Sequence, residues 1–215
     1  MKNKRKLIPL LLSGIIVNIC ANANANASEQ ITNRDFIQAS YEQTDYDEYL
    51  SLSGYSLLGS KKVTENIYIT AEYISLSDDI DIFFDDLGVD QTEISLGAGY
   101  TYTFNEKTEI FVHLAIANIE VKSGEVLGDF FNEEPMETVK FKEDDTGYDL
   151  NIGAVYRFNE SWEGSLILNH KDVIEGNTGI GGSILYHFSD WFAAGTTYLT
   201  YDDFDETNIH LRVSF

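Results

Sequence analysis

From Thr92 to Phe104 the chain alternates without a break. Thr92, Ile94, Leu96, Ala98, Tyr100, Tyr102 and Phe104 hold one parity; Glu93, Ser95, Gly97, Gly99, Thr101 and Thr103 hold the other. Successive side chains of a β-strand point to opposite faces, so this segment reads as a strand with an apolar, aromatic face and a small, polar one. Such a strand separates two different media. Helical periodicity is hard to find after residue 34, whereas the period of two recurs along the chain.

In Gly147–Phe158, the residues Tyr148, Leu150, Ile152, Ala154, Tyr156 and Phe158 oppose a set containing Asp149, Asn151 and Arg157. In Thr108–Val121, Ile110, Val112, Leu114 and Ile116 oppose Glu109, His113, Ala115 and Ala117. In Asn208–Phe215, Ile209, Leu211, Val213 and Phe215 oppose Asn208, His210, Arg212 and Ser214. Asn66–Leu76, Trp162–Lys171, Ile180–Phe188 and Trp191–Tyr201 follow less cleanly, and Arg34–Thr44 and Glu48–Leu58 complete a set of ten. In Glu48–Leu58 two faces compete, Leu50/Leu52 against Tyr55/Leu57. Most of these segments reach the roughly 9–11 residues that a tilted strand needs to cross a bilayer. Pro135 falls between strands, where it breaks no ladder.

The connections fall into two classes. Tight polar turns are expected at Asn105-Glu106-Lys107, Asn159-Glu160-Ser161 and Ser189-Asp190, with a longer link near Gly59–Glu65. Acidic loops are expected near 77–91 and 122–146, shorter ones near 172–178 and 202–206, and a first hairpin tip near Asp45–Asp47. Short turns on one side and longer loops on the other are the habit of outer-membrane barrels. Three strands enter their tight turns through Tyr-x-Phe: Tyr102 and Phe104, Tyr156 and Phe158, Tyr186 and Phe188. Rings gathered at one level suit a membrane interface, so these six are the candidate inner girdle. Tyr41, Tyr73, Tyr148 and Tyr198 are candidates for the outer one. A soluble sandwich or lipocalin-like barrel is the competing fold, and it would turn the same rings inward.

Residues 1–27 read as a cleaved secretory signal. Lys2, Lys4, Arg5 and Lys6 precede an apolar Leu7–Cys20, and Ala25-Asn26-Ala27 supplies a cleavage site before Ser28. Ala23-Asn24-Ala25 competes as a site, and Ile19 before Cys20 argues against a lipoprotein. The barrel domain is then 28–215, and it lacks cysteine, since Cys20 is the chain's single one. That suits an oxidising compartment and excludes a cysteine metal cluster. The net charge of -22 argues against nucleic acid as a partner, because binding it requires cations that neutralise phosphates.

The signal, the repeated Tyr-x-Phe turns, Gly97-Ala98-Gly99-Tyr100 and the ending Leu211-Arg212-Val213-Ser214-Phe215 together resemble small porin-like outer-membrane β-barrel proteins of Gram-negative bacteria, the OmpA/OmpX type. The resemblance implies an all-β, transmembrane, antiparallel up-and-down barrel in the cell outer membrane. It often implies eight strands, where the segments above number ten. It also implies that the terminal Phe215, with Val213, Leu211 and Ile209, is the signal read by the barrel-assembly machinery.

Ten tilted strands enclose a lumen of about 10 Å backbone radius. Parity places Glu42, Tyr68, Glu72, Glu93, Glu109, His113, Asp149, Arg157, Glu163, Lys171, His187, His210 and Arg212 inside. The candidate pore-lining residues among them are Glu72, Glu109, His113, Asp149, Arg157, Glu163, His187, His210 and Arg212. Two readings follow: a plug of paired charges, or a narrow ion path opened by histidine protonation. The acidic loops carry Asp78, Asp79, Asp81, Asp85, Asp86 and Asp90 beside Ile82, Phe83, Phe84 and Leu87, and Asp202, Asp203, Asp205 and Glu206 form a second group. They suit weak capture of a divalent cation or a host surface ligand, without calcium-loop spacing. A protease reading rests on His170 and Asp172 facing Asp79 and Asp81, and parity turns His170 toward lipid. A lipid-modifying reading needs a serine tied to a histidine, and no spacing supplies one. The expectation is therefore a non-enzymatic barrel, structural or narrowly porin-like, without cofactor or metal. Its partners are outer-membrane lipids and, during biogenesis, the assembly machinery. An adhesin acting through the acidic loops is the alternative.

Overall fold

A computed structural model of the chain describes residues 31–46, 50–82, 85–127, 137–173 and 175–215. Segment 1–27, the Phe83-Phe84 pair and Pro135 lie outside the described residues.

Ten strands follow in chain order: β1 (Phe36–Tyr46), β2 (Leu50–Lys62), β3 (Ile67–Ile82), β4 (Asp85–Asn105), β5 (Thr108–Leu127), β6 (Glu137–Arg157), β7 (Trp162–Val173), β8 (Glu175–Ser189), β9 (Phe192–Tyr201) and β10 (Phe204–Ser214). Each pairs antiparallel with its sequence neighbour, and β1 pairs with β10, so the sheet closes on itself. The closing seam runs in continuous register from Phe36↔Ser214 to Tyr46↔Phe204. It ends where the Phe215 amide donates to the Asp35 carbonyl at 3.0 Å. Closure leaves no sheet edge with unpaired amides, which is the condition for placing a sheet in hydrocarbon.

Two of the tight turns are built by asparagine. Asn105 Oδ1 accepts from the Lys107 amide at 2.9 Å, and Asn159 Oδ1 accepts from the amides of Ser161 and Trp162 at 2.9 and 3.0 Å. Side-chain carbonyls of this kind imitate a backbone turn. The ladder slips by one residue between Thr103 and Asn105 and between His187 and Ser189. The extra residue in each case is the phenylalanine of a Tyr-x-Phe turn, Phe104 or Phe188, and a bulge at a barrel rim is a usual device for re-aiming a side chain. The longer link is tighter than expected, because β2 continues to Lys62 and β3 starts at Ile67.

The loops differ more from expectation. Much of 77–91 is a hairpin, paired to the end at Ile82↔Asp85, and β5 and β6 stay paired up to Leu127↔Glu137. The stretches 172–178 and 202–206 are likewise mostly strand, since β8 starts at Glu175 and β10 at Phe204. Above a bilayer both faces of a strand meet water, so the ladder continues where the apolar alternation that reveals a strand has stopped. Register also resolves the two faces of β2. Tyr55 lies opposite Tyr41 and Ser56 opposite Ser40, which turns Tyr55 and Leu57 outward and Leu52 inward.

Candidate functional site: the barrel lumen

The lumen holds two charged levels with a layer of rings between them. The lower level, the floor, lies at the end with the tight turns. Glu109 on β5 is fully buried there, and its Oε1 accepts from Thr32 Oγ1 at 2.5 Å and from Arg34 Nη2 at 2.7 Å. Glu163 Oε2 stands 3.7 Å from Arg157 Nη2 and 3.6 Å from His187 Nε2. Arg212 donates twice to Gln38 Oε1, at 2.9 and 3.1 Å, and its guanidinium lies 4.2 Å from the centre of the Phe36 ring. Arg34 and Arg157 thus meet carboxylates and Arg212 an amide oxygen, which offsets the cost of taking the charges from water.

Above the floor, rings from β3 and β5 lie over the inward face of β4. Tyr68 lies parallel to His113 with centroids 5.9 Å apart, and His113 Nε2 is 2.8 Å from Thr70 Oγ1. The inward glycines of β4 make the room. A Cβ on Gly99 would stand 2.1 Å from the Tyr68 ring, and one on Gly97 would stand 2.5 Å from His113 Nε2. The small face of the alternation at 97–99 is the seat of the rings from β3 and β5. His210 is buried in the same way beside Gly195, with its Nδ1 2.9 Å from Asn208 Oδ1.

The upper level is an acidic chamber centred on Lys171. Its ammonium contacts Glu93 at 2.9 Å and Glu206 at 3.7 Å. Asp149 accepts from Asn169 at 2.6 Å and from Asn151 at 2.9 Å. Glu42 accepts from Ser56 at 2.5 Å, and the Tyr201 hydroxyl, with one proton to donate, lies 3.0 Å from Asn169 Oδ1 and 3.3 Å from Glu206 Oε2. Glu72 sits within the fields of Glu93, Glu42, Lys171 and Asp149. Glu206 was expected in an acidic loop; it lies instead on an inward position of β10, because that strand starts at Phe204, four residues before the expected Asn208. At and above the chamber the lumen turns apolar, with Leu52, Leu76, Ile119 and Val173 buried and Phe204 stacked on Tyr201 at 4.2 Å.

Outside, the order is reversed. Leu166 is 74% exposed, Leu96 65% and Ile209 65%, while Glu109, Glu93 and His210 inside are exposed by 3% or less. In water, each large aliphatic side chain left open forfeits about 1.5–3 kcal/mol. A soluble fold has the opposite arrangement, so hydrocarbon must surround this wall. The molecule is an outer-membrane β-barrel.

Several solved barrels are similar to it. The KdgM porin, solved in complex with disordered oligogalacturonate, matches with a TM-score of 0.46 at 13% identity, over 84% of this chain and 99% of the porin. The NanC porin gives 0.47 at 10% identity, over 83% and 98%. Ail, the attachment invasion locus protein of Yersinia pestis, gives 0.41 at 10% identity, over 83% and 93%. No protein-family model and no curated protein matches the sequence.

All nine candidate lumen residues lie on inward positions of the barrel. Glu109, Arg157, Glu163, His187 and Arg212 are at the floor, His113 and His210 in the ring layer, and Glu72 and Asp149 in the chamber. On the outer wall, Tyr102, Phe104, Tyr156, Phe158 and Phe188 are exposed near the tight turns, and Tyr186 packs on Trp162 and Phe188 at 4.8 Å each. Ile209, Leu211, Val213 and Phe215 form an exposed stripe on β10. His170 is on the outer wall, its Nδ1 2.9 Å from Thr178 Oγ1 and its ring against Tyr148. The other three histidines meet Thr70, Glu163 and Asn208. Among the described residues no group of three or more metal-ligating side chains is placed to hold an ion.

Two elements of the site escape the alternation. Residues 31–35 precede the first strand and carry no periodic signal, yet they supply Thr32 and Arg34 to the floor. The apolar inward residues Phe36, Leu52, Leu76, Phe111 and Leu185 are the other, because parity read as apolar-out assigns such residues to lipid.

Proposed function

We propose that this barrel is an integral, non-enzymatic protein of the outer membrane whose lumen is closed by its own side chains. Its role is structural or at most narrowly porin-like. The observation that carries the reading is the filling of the lumen: the Arg34–Glu109 pair at the floor, the Tyr68 and His113 rings above, and the Lys171 cluster over them. In the same reading residues 1–27 direct export and are removed before Ser28. The stripe Ile209, Leu211, Val213 and Phe215 is offered to the assembly machinery, and the exposed rings near the tight turns anchor the barrel at the inner interface. Planar-bilayer recordings between about pH 5 and 8, where histidine titrates, test the closed lumen. Silence or brief flicker throughout is expected. Sustained steps at every pH mean an open pore, and steps only on the acid side mean a histidine-gated one.

A second reading has its own support. The paired ends of β3 with β4 and β5 with β6 extend past the exposed apolar belt and carry a dense negative charge. They suit contact with a cationic surface or a weakly held divalent ion. Trimming residues 77–91 while keeping the barrel then abolishes attachment of cells to a cationic surface; unchanged attachment removes this reading.

A further inference from the structure

We propose that Ile31–Asp35 is a detachable stopper for the end of the barrel that carries the tight turns. The inference rests on the closed-lumen reading and says which element does the closing at that end.

The segment is held in a manner unlike the wall. Strand pairing starts only at Phe36. Asp35 is the fixed point: its carbonyl accepts from Phe215, its Oδ1 from the Lys62 amide at 2.6 Å, and its amide donates to Asn33 Oδ1 at 2.8 Å. That last bond turns the chain back on itself. Beyond the turn, Thr32 and Ile31 are 4% and 5% exposed, so the chain has re-entered the barrel and does not trail from it. The anchor for Thr32 and Arg34 is Glu109 on β5, which stands four strands from β1 by the shorter way round a ten-strand wall. The segment therefore crosses the lumen and is fastened near the opposite side. Arg34 also lies 4.8 Å from the Tyr68 ring centre and 5.4 Å from that of Phe111, which joins the stopper to the ring layer above.

All of these attachments to the far wall are made by side chains. No ladder bond breaks if the segment swings out about Asp35, and the wall that remains is a closed barrel. A charge-assisted pair in a site shielded from water gives the closed position its preference.

The test uses a reporter thiol just above the floor. Ser165 is an inward residue of β7 that pairs with Ser183 at 2.7 Å, and Ser165→Cys in a Cys20→Ser background gives one reactive site. The folded protein in vesicles is treated with a small charged thiol reagent from the tight-turn side. The combined Thr32→Ala and Arg34→Ala variant, and separately Glu109→Gln, are expected to raise the modification rate by about tenfold, the weight of one charge-assisted bond. A heat-dependent gel shift shows that each variant is folded. Equal rates in folded variants and parent overturn the stopper; if bilayer recordings of all of them stay silent, the closed lumen stands without it. Fast modification and steady conductance in the parent itself, unchanged in the variants, overturn both. Conductance in the parent that rises in the variants keeps the stopper and removes the closed lumen.

Discussion

The two charged levels of the lumen solve the same problem in different ways. At the floor, Arg34 pairs with Glu109, Arg157 and His187 flank Glu163, and Arg212 bonds Gln38 within the field of Glu163, so each acid has a cation within 4 Å. In the chamber, Lys171 contacts Glu93 and Glu206 and lies in the fields of Asp149 and Glu72, while Glu42 stands beside Glu206 with no cation within 4 Å among the described residues. Neutral donors make up part of the difference: Ser56, Asn151, Asn169 and Tyr201 all bond to chamber acids. At the floor Glu163 thus has two partners that can stand in for each other, Arg157 and His187, whereas the chamber has one charge at its centre. Distributed pairing tolerates loss; central pairing does not.

The largest expected effect comes from removing that centre. Lys171→Met leaves buried acids without their cation and should cost about 3–5 kcal/mol in reversible urea unfolding from detergent or lipid. The floor counterpart, Arg157→Gln, should cost at most about 1 kcal/mol, since this side chain is partly exposed and Glu163 keeps His187. Equal losses in the two variants would erase the contrast between the levels.

A smaller effect is expected at the boundary between them. Gly99→Ala puts a methyl where the Tyr68 ring lies and should cost about 1–3 kcal/mol, as overpacking does. It should also loosen the floor, because Arg34 rests on that ring, and raise the reactivity of the reporter at 165. An unchanged unfolding midpoint would mean that the ring layer yields without cost.

The smallest effect lies outside the bilayer and shows what the same chemistry is worth in water. On the outer face of β5, above the apolar belt, Glu120 bonds Lys122 at 2.5 Å and also Lys142, two lysines that face each other across the ladder. The hydrogen bonds from Lys122 and Lys142 pull the Glu120 carboxyl down to about 2, and Glu120 in turn raises Lys122. A lowered acid contributes its stabilisation in full above its ordinary value near 4.5 and loses it as the pH falls through about 2. Carboxyl chemical shifts should therefore show Glu120 titrating well below the other surface acids, and Lys122→Gln should move it up while barely changing the unfolding curve. A Glu120 midpoint at the ordinary value would dissolve the clamp.

The alternation at Thr92–Phe104 was enough to assign both faces of β4, and the same reasoning placed His170 on the outer wall and Glu109, His113 and Asp149 inside. It was legible because each wall residue meets one of two media, a condition imposed locally on every strand. It failed where that condition lapses. Past the bilayer, where both faces are wet, the strand ends at 77–82 and 137–146 passed for loops. On β2, whose inner face carries Leu50 and Leu52, greasy residues stood on both sides of the wall, and only the pairing of Tyr55 with Tyr41 separates them.

The amino-acid order thus settled most of the wall: ten strands, the outward faces of those that alternate cleanly, and the tight-turn end. Which charges meet inside was settled by closure. Lys171 reaches Glu93 and Glu206 from strands far apart in sequence, because strand number and stagger bring those positions to one height, and Arg34 reaches Glu109 because the turn at Asn33 and Asp35 sends the chain across the closed circle. A strand's two faces are a property of its own residues, whereas a partner across the lumen is a property of the circle they close.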